Sequence, residues 1–140
     1  MKNNFGFILV KPQLGENIGA SARSMKNFGF SNLRVVSPKQ SWPNNKAKVT
    51  SVGAYDIIKK TKIYKNTVDA ISDFNIVISL SARRRDINKK HISMNEFLRI
   101  IRLKKNKKFG LMFGPEASGL SNEDLSLSNY ILQIPTSKNF

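Results

Sequence analysis

The 140-residue chain predicts an α/β protein in which a mainly parallel sheet is flanked by helices. Three observations carry that expectation. Short apolar runs recur along the chain, at 5–10, 33–36, 63–64, 76–80, 109–113 and 130–134. Helix-friendly stretches separate most of them at the spacing of βαβ units, which requires right-handed crossovers. One run, Ile76-Val-Ile-Ser-Leu80, reads as a strand buried on both faces, the kind that parallel sheets contain.

The elements follow in order. The first strand stops at Lys11-Pro12, and Gln13-Leu-Gly-Glu-Asn17 forms a loop. Asn17 is placed to cap a helix over 18–28, which Gly29 ends in the C′ position. The strand at 33–36 stops at Ser37-Pro38, and 40–45 is polar apart from Trp42. Helices are expected over 46–51 and 54–58, then a weak strand at 63–64 and a helix capped by Thr67 and running to about 74. Ser93-Met-Asn-Glu96 is a capping box in front of Phe97, Leu98, Ile100 and Ile101. The strand at 109–113 enters a Gly-Pro-Glu turn, and Ser121 is positioned to cap a short helix. The last strand ends at Pro135. With no internal repeat, linker or low-complexity tract, residues 1–140 read as one domain, able to bury roughly two thirds of its unfolded surface.

Charge is the strongest global signal. Twenty-four Lys and Arg against nine Asp and Glu give +15, which favours polyanions and, first among them, nucleic acid. A Lys-, Asn- and Ile-rich composition of the kind AT-rich coding produces gives the same excess, so its distribution matters. Eleven Lys and Arg fall between Arg83 and Lys108, against Asp86 and Glu96 alone. Arg83, Arg84 and Arg85 leave a strand and can grip phosphates bidentately, which makes them candidate RNA contacts. Lys104-Lys-Asn-Lys-Lys108 reads as a solvated surface run.

Several chemistries are excluded. There is no cysteine, hence no thiolate nucleophile, disulfide or Cys-ligated zinc, and the one histidine cannot form a His cluster, so no metal is expected. His91, between lysines and isoleucine, reads as a solvated surface residue. No Walker-type loop, dinucleotide fingerprint or G-x-S-x-G elbow is present. No apolar run approaches a membrane span and no signal peptide is visible, so a cytoplasmic protein is expected.

In a parallel sheet all strands carry their C-terminal ends to one edge, where ligands bind. The polar or Gly-rich loops beginning at Gln13, Ser79, Gly114 and Pro135 all follow strands and should converge there.

On these residues the chain resembles the SPOUT class of RNA methyltransferases, the SpoU/TrmH family, and within it the TrmJ-type tRNA ribose methyltransferases. The first family motif matches Asn17-Ile-Gly-Ala-Ser-Ala-Arg23, and the second matches Phe113-Gly-Pro-Glu-Ala-Ser-Gly-Leu-Ser-Asn-Glu-Asp124. Val52-Gly-Ala-Tyr-Asp-Ile-Ile58 and Ser81-Ala-Arg-Arg-Arg85 carry the TrmJ-type features. The resemblance implies S-adenosyl-L-methionine as methyl donor, bound at Leu80, Ser81, Ala82, Gly114 and Ile134. It implies Arg23 as the residue that activates the ribose 2′-hydroxyl, with Asn17 and Glu116 shaping the site. It further implies a knotted fold, a homodimer, and tRNA as substrate, at cytidine or uridine 32 of the anticodon loop. Ribosomal RNA is the alternative substrate, and a SPOUT-like RNA-binding module impaired in catalysis is the alternative function.

Guanidinium stays protonated, so Arg23 is expected to hold a substrate phosphate and stabilise the developing alkoxide, while a phosphate oxygen or water takes the proton. Glu116 either orients groups in the site or shapes the Gly-Pro-Glu turn. The family's third motif normally continues past Ile134-Pro-Thr-Ser-Lys-Asn-Phe140 with a knot-closing segment, which this chain is expected to lack.

Overall fold

The computed structural model describes residues 4–82 and 84–134. Among these residues every strand lies in one seven-stranded sheet, and every strand pair is parallel. In chain order the elements are β1 (Phe5–Val10), α1 (Gly15–Asn27), β2 (Asn32–Val36), α2 (Asn45–Thr50), α3 (Tyr55–Lys60), β3 (Lys62–Tyr64), α4 (Thr67–Ile71) and β4 (Ile76–Ser81). Then come β5 (Lys90–Ile92), α5 (Met94–Leu103), β6 (Phe109–Phe113), α6 (Asn122–Ser126) and β7 (Tyr130–Gln133). The spatial order is β3-β2-β1-β6-β4-β7-β5. The chain therefore moves outward from β1 through β2 to β3 and returns to build the other half. There β6 is inserted between β1 and β4, and β7 between β4 and β5.

Strand alternation divides the core between two faces. On one face Phe5, Ile78, Leu111 and Leu132 pack with Phe97 of α5, and Leu33 and Val35 pack with Ile18, Ala22 and Met25 of α1. On the other, Ile8, Val10, Val77, Met112 and Ile131 pack against Ala70 of α4 and Leu125 of α6. Gly19 of α1 lets α2 approach, because a Cβ there would collide with Thr50 and the Ala47 carbonyl.

The parallel α/β expectation holds, with local corrections. Helix α1 starts at Gly15 with Leu14 at its N-cap and no side-chain cap, so Asn17 lies inside the first turn rather than capping it. Asn66, not Thr67, caps α4 by accepting the Asp69 N–H at 2.8 Å, and α4 ends at Ile71 instead of running to 74. The Ser93–Glu96 capping box and the Ser121 cap are both formed. Strand β5 was not expected: three residues, Lys90-His-Ile92, offer one buried apolar side chain and take their place as an edge strand on β7. His91 is correspondingly half-buried rather than solvated. Its Nε2 accepts the Arg85 N–H at 3.4 Å and its Nδ1 lies 3.1 Å from the Lys89 carbonyl, contacts that an imidazole protonated on Nδ1 satisfies together. Arg83 and the segment after Ile134, where the knot-closing expectation falls, lie outside the described residues.

Candidate functional site

Strands β6, β4 and β7 are neighbours, and their C-terminal loops meet in a cleft of about 580 Å³. Its walls are Leu80 and Ser81 at the end of β4, Ala82 just after it, the turn from Gly114 to Leu120 after β6, and Ile134 after β7. The pairing that aligns Ser81 with Gln133 is extended one step by Ile134, whose N–H donates to the Ser81 carbonyl at 2.9 Å. Five of the sequence-derived cofactor residues thus come together, and Glu116 lies on the same wall. This cleft falls within the size range of ligand sites and combines apolar walls with backbone polar groups.

The turn is held at both ends. Gly119 closes it by donating its N–H to the Pro115 carbonyl at 2.9 Å and takes a left-handed φ of 72°. At the other end Gly114 packs against that closure so tightly that a Cβ would fall on the Leu120 nitrogen and the Gly119 carbonyl carbon. Behind it, Ser121 caps α6, and Thr67 of α4 donates to Asp124 at 2.8 Å.

Gln13, which carried no role in the sequence reading, ties this turn to the loop after β1. The Gln13 N–H donates to Glu116 Oε2 at 3.0 Å, and the Ala117 N–H donates to Gln13 Oε1 at 3.1 Å. Glu116 therefore joins the turn to the loop after β1 through a contact 103 residues away in sequence. That separation is why local motif reading missed it.

Arg85 also lines the cleft. Its guanidinium reaches Asn122 Oδ1 at 3.4 Å, while Arg84 is exposed. Asn17 lines a second cleft of about 600 Å³ between α1 and the sheet, walled by Phe7, Met25, Phe30 and Phe113 and sharing Gly114 and Glu116 with the first. Arg23 lines neither. It is exposed on α1, one turn before Lys26, whose ammonium holds both oxygens of Asp56 on α3 at 2.9 and 3.0 Å. That hydrogen bond keeps the Asp56 carboxyl below its ordinary value. Among the described residues no group of three or more His, Cys, Asp or Glu is placed to hold a metal ion, and no helix is long and apolar enough to cross a membrane.

A wholly parallel sheet with a ligand-sized cleft built from three adjacent strand ends is the architecture of an α/β domain with a candidate small-molecule site. The chain belongs to the SpoU rRNA methylase family, whose model matches residues 4–140. It is 37% identical over 137 residues to the tRNA (cytidine-2′-O-)-methyltransferase TrmJ of Methanocaldococcus jannaschii, covering 95% of this chain and 58% of that protein. It is 33% identical over 141 residues to the tRNA (cytidine/uridine-2′-O-)-methyltransferase TrmJ of Photorhabdus laumondii, covering 100% of this chain and 58% of that one. The crystal structure of TrmJ from Z. mobilis superposes with a TM-score of 0.88 at 34% identity, over 96% of this chain and 60% of its own. The chain thus spans less than two thirds of the length of each of these three proteins. The SpoU methyltransferase AviRb of Streptomyces viridochromogenes, solved with AdoMet, shares the fold at a TM-score of 0.69 and 18% identity, over 98% of this chain and 51% of its own.

Proposed function

We propose that this chain acts as a single methyltransferase domain that uses S-adenosylmethionine to methylate a ribose 2′-hydroxyl of tRNA, at a pyrimidine of the anticodon loop. The cleft where β6, β4 and β7 end carries the reading. Its small residues, Ser81, Ala82, Gly114 and Gly119, leave room for a ligand against backbone, and Leu80, Leu120 and Ile134 supply apolar surface suited to an adenine. These residues fit the donor, which when bound supplies an electrophilic methyl group on a sulfonium and needs neither metal nor thiol.

The remaining work is positioning and charge stabilisation. Leu80, Ser81 and Ala82 hold one side of the donor, and the Gly114–Leu120 turn, braced by the Gln13–Glu116 pair, holds the other. Arg23 grips a phosphate next to the target ribose and stabilises negative charge developing on the 2′-oxygen, while a phosphate oxygen or water accepts the proton. Because Arg23 is outside its own chain's cleft, we place it opposite the cleft of a second copy. The apolar cleft beside α1, with Phe28 69% exposed at its rim, supports such a homodimer. Arg84 and Arg85 extend the RNA-contacting surface from the β4 loop, and Arg83 belongs to the same sequence run.

The test is methyl transfer from labelled S-adenosylmethionine to tRNA transcripts. The expected result is incorporation at a 2′-hydroxyl that Arg23→Ala abolishes while donor binding persists. Incorporation into ribosomal RNA alone would move the substrate to the one in the family's description. Near-normal transfer by Arg23→Ala would remove Arg23 from catalysis.

A further inference from the structure

We propose that a pocket on the outer side of α2 and α3, walled by Trp42 and Tyr55, binds an unpaired nucleotide of the RNA substrate, stacking its base and holding its phosphate with lysines. The inference rests on the RNA reading above and adds a contact site separate from the donor cleft.

The pocket encloses about 480 Å³ and is lined by Trp42, Asn44, Asn45, Lys48, Tyr55 and Lys59, among others. Trp42 packs against the core cluster that includes Ala47, Ile57 and Ile58, so its indole is fixed while it also forms a pocket wall. Tyr55 is 41% exposed at the N-terminus of α3, and the Lys48 ammonium sits 5.0 Å from its ring centroid. A core-packed indole and an exposed phenol ring beside a cation are the groups that sequence-tolerant binding of single-stranded nucleic acid uses, since every base presents a π-face.

Charge selects the occupant. Between Asn45 and Lys62 lie five lysines, at 46, 48, 59, 60 and 62, all exposed, and one acid. That acid, Asp56, is held by Lys26 from α1. A neutral or basic protein surface would meet unpaired lysines here, whereas an RNA backbone neutralises them and releases counterions.

The pocket is also built onto the proposed active-site helix. The Asn44 side chain accepts the Ala47 N–H at 3.0 Å and leans on Gly15 of α1. Gln40 Oε1 accepts the Gly15 N–H at 2.9 Å and bonds the Asn44 amide at 3.3 Å. At the far side Tyr55 precedes Asp56, whose partner Lys26 is one helical turn from Arg23. By helix rise, Arg23 and Lys26 are about 4.5 Å apart along α1, and the Lys26–Asp56 ion pair joins that helix to the one that carries Tyr55.

Trp42 is the only tryptophan in the chain, so its emission reports on this pocket alone. The experiment titrates the protein with an oligouridylate of about eight nucleotides, a length within the site size of such surfaces. It follows Trp42 fluorescence and, in parallel, the anisotropy of labelled RNA, with inorganic tripolyphosphate as an anion lacking bases. Saturable quenching by RNA and none by tripolyphosphate is expected. Tyr55→Ala should weaken RNA binding about tenfold. Lys48→Ala should lower the slope of log affinity against log salt by about 0.7. Both residues are on the surface, and circular dichroism verifies that the variants fold.

RNA binding with unchanged Trp42 emission overturns the proposal. So does equal quenching by tripolyphosphate, or a Tyr55→Ala affinity within about twofold of the unaltered chain's. Methyl transfer measured on the same preparation separates the two readings: transfer without quenching sinks only the stacking site, and quenching without transfer sinks only the methyltransferase assignment.

Discussion

Replacing Gly114 by alanine should do more damage than any other single methyl group added to the donor cleft. The new Cβ would fall on the Leu120 nitrogen and the Gly119 carbonyl carbon and lie 2.8 Å from Leu120 Cα. All three are backbone atoms, so no rotamer change relieves the overlap and the turn itself must move. Leu120 is 2% exposed and packs with Ile8, Val10, Met112 and Leu125, so moving it also disturbs the core. Overpacking of this kind costs about 1–3 kcal/mol, and a backbone obstacle places Gly114→Ala near the upper end. For a domain of this size that lowers Tm by on the order of 10 °C. Gly119→Ala is the control. Its Cβ would make only an ordinary contact, with Arg85 Nη1 the nearest atom at 3.7 Å, so only the left-handed φ of 72° opposes it, at roughly 1–2 kcal/mol. Thermal denaturation ranks the two, and calorimetry with S-adenosylhomocysteine reads the cleft. Gly114→Ala should lose more stability and at least about tenfold in affinity, a shift of about 1.4 kcal/mol. If it is no less stable than Gly119→Ala and binds the ligand normally, the described packing of the turn is wrong.

Further changes probe other links. Gln13→Ala removes the Oε1 that accepts the Ala117 N–H, a bond worth about 1 kcal/mol at most at this exposed site, while the backbone N–H to Glu116 stays; it should weaken S-adenosylhomocysteine binding by calorimetry with little change in Tm. Ser93→Ala deletes the cap of α5 and should cost about 1 kcal/mol in denaturant unfolding. The side-chain hydrogen bond from Arg34 holds the Asp73 carboxyl below its usual value, with Nη2 to Oδ2 at 2.8 Å. A depressed folded value means the pair stabilises the fold above the ordinary carboxylate range near pH ~4 and loses that contribution as pH falls through the lowered value. Tm measured down to acid pH should therefore fall more steeply for the unaltered chain than for Asp73→Asn. Parallel acid limbs for the two would show that the pair contributes nothing.

The strands were legible because a parallel sheet buried on both faces leaves nearly continuous apolar runs, as at Ile76–Ser81 and Phe109–Phe113. Strand β5 escaped because an edge strand needs little burial, and Ile92 is its only fully buried side chain. The insertion of β6 between β1 and β4 was also invisible, since it depends on pairings such as Leu9 with Phe113 across about a hundred residues. Asn17 carried a cap signal, yet the helix begins at Gly15, where the Gln40 side chain takes the N–H in place of a local cap. In the site, the motif residues of each loop were readable one by one. Their convergence, the Gln13–Glu116 tie and the placement of Arg23 outside the cleft depend on tertiary contacts that no local pattern encodes.

Donor binding at the carboxyl edge is tested most directly by titrating S-adenosylhomocysteine into the isotopically labelled full chain and following backbone amide resonances. Saturable shifts at Leu80, Ser81, Gly114, Gly119 and Leu120, with Tyr55 and Lys48 unmoved, are the expected result. A titration that moves no resonance, or moves only those remote from the ends of β4, β6 and β7, would contradict the assignment of this cleft.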